Sequence, residues 1–149
     1  MIQTATIDQI IIMIILGVDY GDVRTGVAVC DKTEFLASPV CVIKESYMPK
    51  LLDKLEHIIA EKKPELIVVG LPKNMDGSHG YRAEACVAFA EELNLKFGIE
   101  TKLWDERLTS VIAHKQLQLN GKKEKKHKDI IDAAAATEIL QSFIDSRKK

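Results

Sequence analysis

The sequence has few cysteines, few aromatic residues and no long apolar run, and each shortage closes off a class of protein. The three cysteines, Cys30, Cys41 and Cys86, are odd in number and make no C-x-x-C pair. Neither a disulfide framework nor a zinc knuckle is encoded, and a reducing, cytoplasmic setting fits best. The longest apolar run, residues 10–16, is about a third of what a bilayer span requires. It lacks the basic start and small-residue cleavage site of a secretory signal, so no membrane partner is expected. Aromatic residues make up 5% of the chain, too few to suggest a platform for stacking bases. The four histidines form no motif.

What is there suits one globular unit. At 149 residues, 46% hydrophobic and 29% charged, the chain fits a single core. Residues 1–12 mix polar residues and isoleucines without turn or cap signals and read as an N-terminal extension to one domain over residues 13–149. The formal charge of −1 is unevenly spread: residues 1–119 carry −4 and residues 120–149 carry +3. Lys122, Lys123, Lys125, Lys126 and Lys128 make a basic loop. It is either a solvated stretch or a clamp on a polyanion, whose grip on a nucleic-acid backbone would be salt-sensitive and blind to sequence.

The first half reads as three short β-branched strands, near 14–18, 26–30 and 38–43, joined as an antiparallel meander. A helix starts at Pro49 and is ended by Pro64, with Leu51, Leu52, Leu55, Ile58 and Ile59 at helical spacing. Leu66-Ile67-Val68-Val69 is an uninterrupted apolar run, the mark of a buried parallel strand. A polar loop over 70–80 feeds a second helix, 81–97, with Val87, Ala90, Leu93 and Phe97 on one stripe and Gly98 as its stop. A fifth strand over 100–104, a helix over 109–119 and a last helix from Asp129 to Ser146 complete the order. The fold class is therefore α/β, a mixed five-stranded sheet with helices on both faces.

Asp19 ends the first strand beside the glycine-bearing turn Tyr20-Gly21-Asp22, a position that suits a metal ligand or an Asx-turn. Asp105 and Glu106 end the last strand. Side chains alternate across a strand, so only one of the two faces Asp19, and length and reach favour Glu106. Asp129 and Asp132 share one face at the start of the last helix, where capping alone would also explain Asp129. If three of these carboxylates converge, they make an oxygen-only site that suits Mg²⁺ or Mn²⁺. Two such ions activate a water and stabilise a leaving oxygen at a phosphodiester without any His or Ser nucleophile. Arg24 and Arg107 stand beside these acids, to hold a phosphate or simply to pair the acid. Lys73, Ser78, His79 and Arg82 lie in or next to a loop that feeds a helix N-terminus, where phosphate is favoured.

Four runs together resemble one family. They are Gly17-x-Asp19-x-Gly21-x-x-Arg24-x-Gly26-Val27-Ala28, the loop Gly70-Leu71-Pro72-Lys73-Asn74-Met75-Asp76-Gly77-Ser78, the run Asp105-Glu106-Arg107-Leu108-Thr109-Ser110, and Asp132-x-x-Ala135-Ala136-x-x-Ile139-Leu140. In order and spacing they are similar to the bacterial YqgF family, also called RuvX. The resemblance implies an RNase H-like fold, like that of the RuvC Holliday-junction resolvases, and a nuclease for the 5′ end of the 16S rRNA precursor; some members are treated as junction resolvases. It places the family's acidic residues on Asp19, the Asp105-Glu106 pair and Asp132. The implied partners are structured RNA, ribosomal precursor particles or junction DNA, the last requiring a homodimer rather than a monomer. A non-catalytic rRNA-binding factor is a further reading. An actin-like ATPase is opposed by length, since such enzymes close two lobes over the nucleotide.

Overall fold

The computed structural model describes residues 13–31, 36–72, 80–108 and 125–147, with side chains of the last helix from Ala133 onward. The strand the sequence makes most apolar, Leu66–Leu71, is an interior strand buried along its whole length. The sheet has five strands: β1 (Ile15–Asp19), β2 (Arg24–Cys30), β3 (Ser38–Lys44), β4 (Leu66–Leu71) and β5 (Glu100–Asp105). Their spatial order is β3-β2-β1-β4-β5. β1, β2 and β3 pair antiparallel, while β1, β4 and β5 run parallel. The meander and the later parallel strands are thus as the sequence leads one to expect. Pro39 sits on edge strand β3, where a missing N–H breaks no interior ladder.

Among the described residues three α-helices cover this sheet: α1 (Met48–Lys62), α2 (Tyr81–Phe97) and α3 (Lys125–Arg147). Alternation along the strands divides the core in two. Leu16, Val18, Val27, Ile67 and Val69 face α1 and α2, packing on Leu51, Leu55, Phe89 and Leu93. Ile15, Ala28, Cys30, Leu66 and Val68 face α3, meeting Ala135, Ala136, Ile139 and Leu140. α1 ends where Lys63 turns left-handed, with Pro64 immediately after, and α2 ends at the left-handed Gly98.

Three details depart from the sequence reading. α2 buries Ala83, Cys86, Phe89, Ala90 and Leu93, with Val87 and Phe97 only half-buried, so its inward stripe is rotated toward Phe89. His57, which reads as a structural residue, is on the exposed side of α1. The last helix starts at Lys125 rather than Asp129. Lysine is a good helix former, and no breaker separates Lys125 from Asp129. Lys125, Lys126 and Lys128 therefore belong to a helix, not a loop. The extension over residues 1–12, the expected helix over 109–119, Lys73, Ser78, His79, Lys122 and Lys123 lie outside the described residues.

Candidate active site

Asp19 is the last residue of β1 and only 7% exposed. Its face is set by the alternation of the strand. A Cβ at Gly17, two residues back, would stand 2.8 Å from Leu140 Cβ and 3.3 Å from the Ala136 carbonyl. Gly17 thus lets α3 close on β1, and Asp19 points to the same side. Opposite Asp19 on β2 stands Gly26, which has no side chain. Arg24, two residues earlier on β2, shares this face and is half-buried. Between them the chain turns at Gly21, where any Cβ would collide with the Arg24 carbonyl oxygen. Thr25, fully buried, accepts a long hydrogen bond from the Gly21 N–H at 3.5 Å.

Glu106 arrives from the other side of β4. Val18 is paired with Val69 and Trp104 with Gly70, so Gly70 lies level with Asp19, one strand spacing of about 4.8 Å away. The Glu106 side chain folds over Gly70: a Cβ there would sit 2.8 Å from Glu106 Oε2, with Ile139 Cδ1 on the same side. Glu106 is 4% exposed. Two buried carboxylates therefore lie on the α3 side of the sheet, one at the end of β1 and one just after β5, with Gly70 of the intervening β4 leaving room between them.

Asp105 goes elsewhere. Trp104 packs edge-on against Phe143 of α3 at 5.4 Å and donates from Nε1 to Ser142 Oγ at 3.0 Å. The next side chain must then leave the strand on the opposite face. There Asp105 accepts from Arg107 Nε at 3.1 Å, from Arg107 Nη2 at 2.8 Å and from the Arg107 backbone N–H at 2.9 Å. Of the two acids at the end of β5, Glu106 is the one on Asp19's side, and Arg107 is the fork that holds Asp105.

Arg82, at the start of α2, reaches the turn after Asp19. Its Nη2 donates to the Tyr20 carbonyl at 2.8 Å, its Nη1 pairs with Asp22, and its guanidinium lies 5.5 Å over the Tyr20 ring. The same ring stacks on Phe89 at 4.3 Å. Burial pushes the Tyr20 phenol above its usual range, against the opposing pull of Arg82. Arg82 is thus a tie between α2 and the turn that follows Asp19. The sequence reading missed that tie, and it missed the room Gly70 leaves for Glu106. A glycine near the end of the buried run Leu66-Ile67-Val68-Val69-Gly70 was the available signal for the second, since glycine inside a strand marks a close approach.

Asp132 lies in α3, one turn before Ala136, the residue that abuts Gly17. Its side chain, and those of Lys125, Lys126, Lys128 and Asp129, lie outside the described residues. Among the described residues no three His, Cys, Asp or Glu groups gather. The pair in place, Asp19 and Glu106, is oxygen-only and buried, which fits a hard divalent cation and not zinc. Among the same residues no helix is long and apolar enough to cross a membrane.

Known proteins bear on this geometry. The chain is 40% identical over 134 residues to the "Putative pre-16S rRNA nuclease" of Clostridium novyi (strain NT), covering 90% of this chain and 99% of that protein. It is 40% identical over 137 residues to the protein of the same name from Desulforamulus reducens, with 92% and 100% covered. Its fold matches T. thermophilus RuvC in complex with Holliday junction substrate at a TM-score of 0.60 and 15% identity, over 91% of this chain and 96% of that one. The Fowlpox virus resolvase in complex with Holliday junction DNA matches at a TM-score of 0.52 and 13% identity, over 92% and 100%. The fold is RNase H-like, as these resolvase structures share it. Residues 13–146 match the model of the family described as RuvX, Holliday junction resolvase, and the chain belongs to that family.

Proposed function

We propose that this protein is a metal-dependent endonuclease that hydrolyses phosphodiester bonds in structured nucleic acid, and that its substrate is the 5′ end of the 16S rRNA precursor in the cytoplasm. The observation that carries the reading is the pair Asp19 and Glu106, both buried and both on the α3 side of the sheet. The names of the 40%-identical relatives support the RNA substrate.

In this reading Asp19, Glu106 and Asp132 hold Mg²⁺ or Mn²⁺. When bound, such ions lower the pKa of an attacking water and neutralise charge on the leaving oxygen. The chain's own residues supply the rest. Two buried acids, one at the end of β1 and one just after β5, keep their oxygens in place. Arg24, on the same face, takes a non-bridging phosphate oxygen, as a guanidinium does well. Lys73, Lys122, Lys123, Lys125, Lys126 and Lys128 hold the nucleic-acid backbone by charge, and Ser78 by a hydrogen bond to phosphate.

The test is cleavage of a labelled 16S precursor 5′ segment with Mn²⁺ or Mg²⁺, wild type beside Asp19→Asn, and a four-way DNA junction as the second substrate. The expected result is metal-dependent cutting of the RNA that Asp19→Asn abolishes. Cutting that survives Asp19→Asn overturns the mechanism. Paired cuts in the junction, with the RNA untouched, would move the protein to the resolvase reading that the RuvC and Fowlpox folds favour.

A further inference from the structure

Glu106 sits in the middle of a segment that one side chain of α3 ties down on both sides. Two residues before it, the Trp104 indole N–H donates to Ser142 Oγ at 3.0 Å. Two residues after it, the Leu108 carbonyl accepts from the Ser142 hydroxyl at 3.3 Å. A serine hydroxyl has one hydrogen to give and lone pairs to receive with, so the two bonds coexist. This use of the hydroxyl is not the ordinary one. Thr137 Oγ1 donates to the Ala133 carbonyl at 2.8 Å and Ser146 Oγ to the Phe143 carbonyl at 2.7 Å, each within α3. Such bonds back to the preceding turn are what Ser and Thr usually make in a helix. Ser142 instead reaches 34 positions back along the chain, to the end of β5.

The surrounding contacts make this tie bear on the carboxylate. Glu106, Arg107 and Leu108 form a single 3-10 turn. Asp105 closes the start of that turn by accepting from the Arg107 N–H at 2.9 Å, and Ser142 closes its end at Leu108. The Trp104 ring stands edge-on to Phe143, the residue after Ser142. About one turn earlier on α3, Ile139 Cδ1 lies with Glu106 Oε2 against Gly70. The Glu106 side chain therefore cannot leave Gly70 by a shift of its backbone without breaking a Ser142 bond on one side or the other. α3 also carries Asp132, so the same hydroxyl sets the helix of the third acid against the second.

We propose that Ser142 is a positioning residue for the active site: its one hydroxyl holds the backbone on both sides of Glu106 and thereby fixes that carboxylate over Gly70, on the side of Asp19. The proposal rests on the nuclease reading, in which Glu106 is a metal ligand. Ser142 acts through Trp104 and Leu108, and its worth lies in keeping Glu106 in place before the ion arrives, since a ligand already held in its binding geometry loses less freedom on binding.

The test compares Ser142→Ala, Ser142→Thr and Trp104→Phe in the full chain. The first removes both bonds, the second keeps a hydroxyl, and the third removes only the indole donor. In metal-free buffer, amide hydrogen exchange read by NMR is expected to speed up at Glu106, Arg107 and Leu108 in Ser142→Ala and to stay as in wild type along β1 and β4. Mn²⁺ affinity, read from the metal-dependent rise in melting temperature, should fall about tenfold, the low end for groups that orient a metal ligand, with KM for the RNA unchanged. Ser142→Thr is expected to return both readouts to wild type, and Trp104→Phe to fall between. Adding Trp104→Phe to Ser142→Ala should move neither readout further, because its bond is already gone. Unchanged exchange overturns the proposal. So does exchange that speeds up across the whole sheet, the mark of a residue needed only for stability, and so does local loosening with no loss of Mn²⁺ affinity. A wild type that ignores Mn²⁺ sinks the nuclease reading instead, and the exchange result alone then decides whether Ser142 holds the Glu106 segment.

Discussion

The Glu106 carboxylate occupies the space that a side chain at Gly70 would need. Glu106 Oε2 lies 2.8 Å and Ile139 Cδ1 lies 2.5 Å from where that Cβ would stand. A single methyl group at position 70 must therefore displace both an acid of the site and a core contact of α3. Gly70→Ala is expected to lower stability by about 1–3 kcal/mol, the usual range for overpacking, and to remove most cleavage. Urea unfolding and cleavage on one preparation check this, and a Gly70→Ala protein with wild-type activity would show that Glu106 is not needed where it stands.

Asp19→Asn replaces a buried acid of the pair by a neutral amide of the same shape. Wild type should gain about 2.7 kcal/mol at a Mn²⁺ concentration a hundredfold above its Kd, and Asp19→Asn should gain almost nothing. Thermal melts with and without Mn²⁺ measure both. A wild-type melting temperature indifferent to Mn²⁺ would count against these carboxylates as ligands.

Arg82 ties α2 to the turn after Asp19 through the Tyr20 carbonyl and Asp22. Arg82→Ala is expected to cost roughly 1–2 kcal/mol, less than a buried charged hydrogen bond because the side chain is partly exposed. Arg82→Lys should keep the attraction to Asp22 but lose the second donor, giving an intermediate value. If Arg82 instead served only to hold nucleic acid, both variants would weaken binding and leave the unfolding midpoint in urea unmoved.

The Tyr47 backbone N–H and the Lys54 ammonium hold the Glu45 carboxyl below its usual range. A carboxyl whose pKa is lower in the folded than in the unfolded protein adds stability above its unfolded pKa. That stability is lost as pH falls through the folded value. Glu45→Gln should therefore lower stability modestly at neutral pH, leave it little changed at acid pH, and so flatten the acid limb of the stability profile. An NMR titration of Glu45 checks the direction, and a midpoint at or above the ordinary glutamate value would refute it.

Local patterns carried most of this fold. β4 could be read from its unbroken apolar run, α1 from its leucine spacing between two prolines, and the end of α2 from Gly98 alone. The start of α3 was hidden because a lysine run satisfies a helix and a solvated loop equally well. The inward face of α2 was hidden because alanines fill both of its sides. At the site, alternation lets only one of Asp105 and Glu106 face Asp19, length and reach favour Glu106, and the packing of Trp104 on Phe143 fixes the side. Arg82 and Tyr20 lie 62 positions apart, and no local pattern joins them. Such a contact exists only once β1 and α2 have packed.

Asp19, Gly70 and Glu106 come from β1, β4 and the short 3-10 turn that follows β5, which are brought together only in the finished sheet, and the helix that closes on Gly17 follows all of them. A growing polypeptide that has made β1 through β4 holds one acid of the pair and not the other. The carboxylate pair therefore exists only once the chain has been made past β5. In the nuclease reading, no fragment that stops before Glu106 can cut RNA.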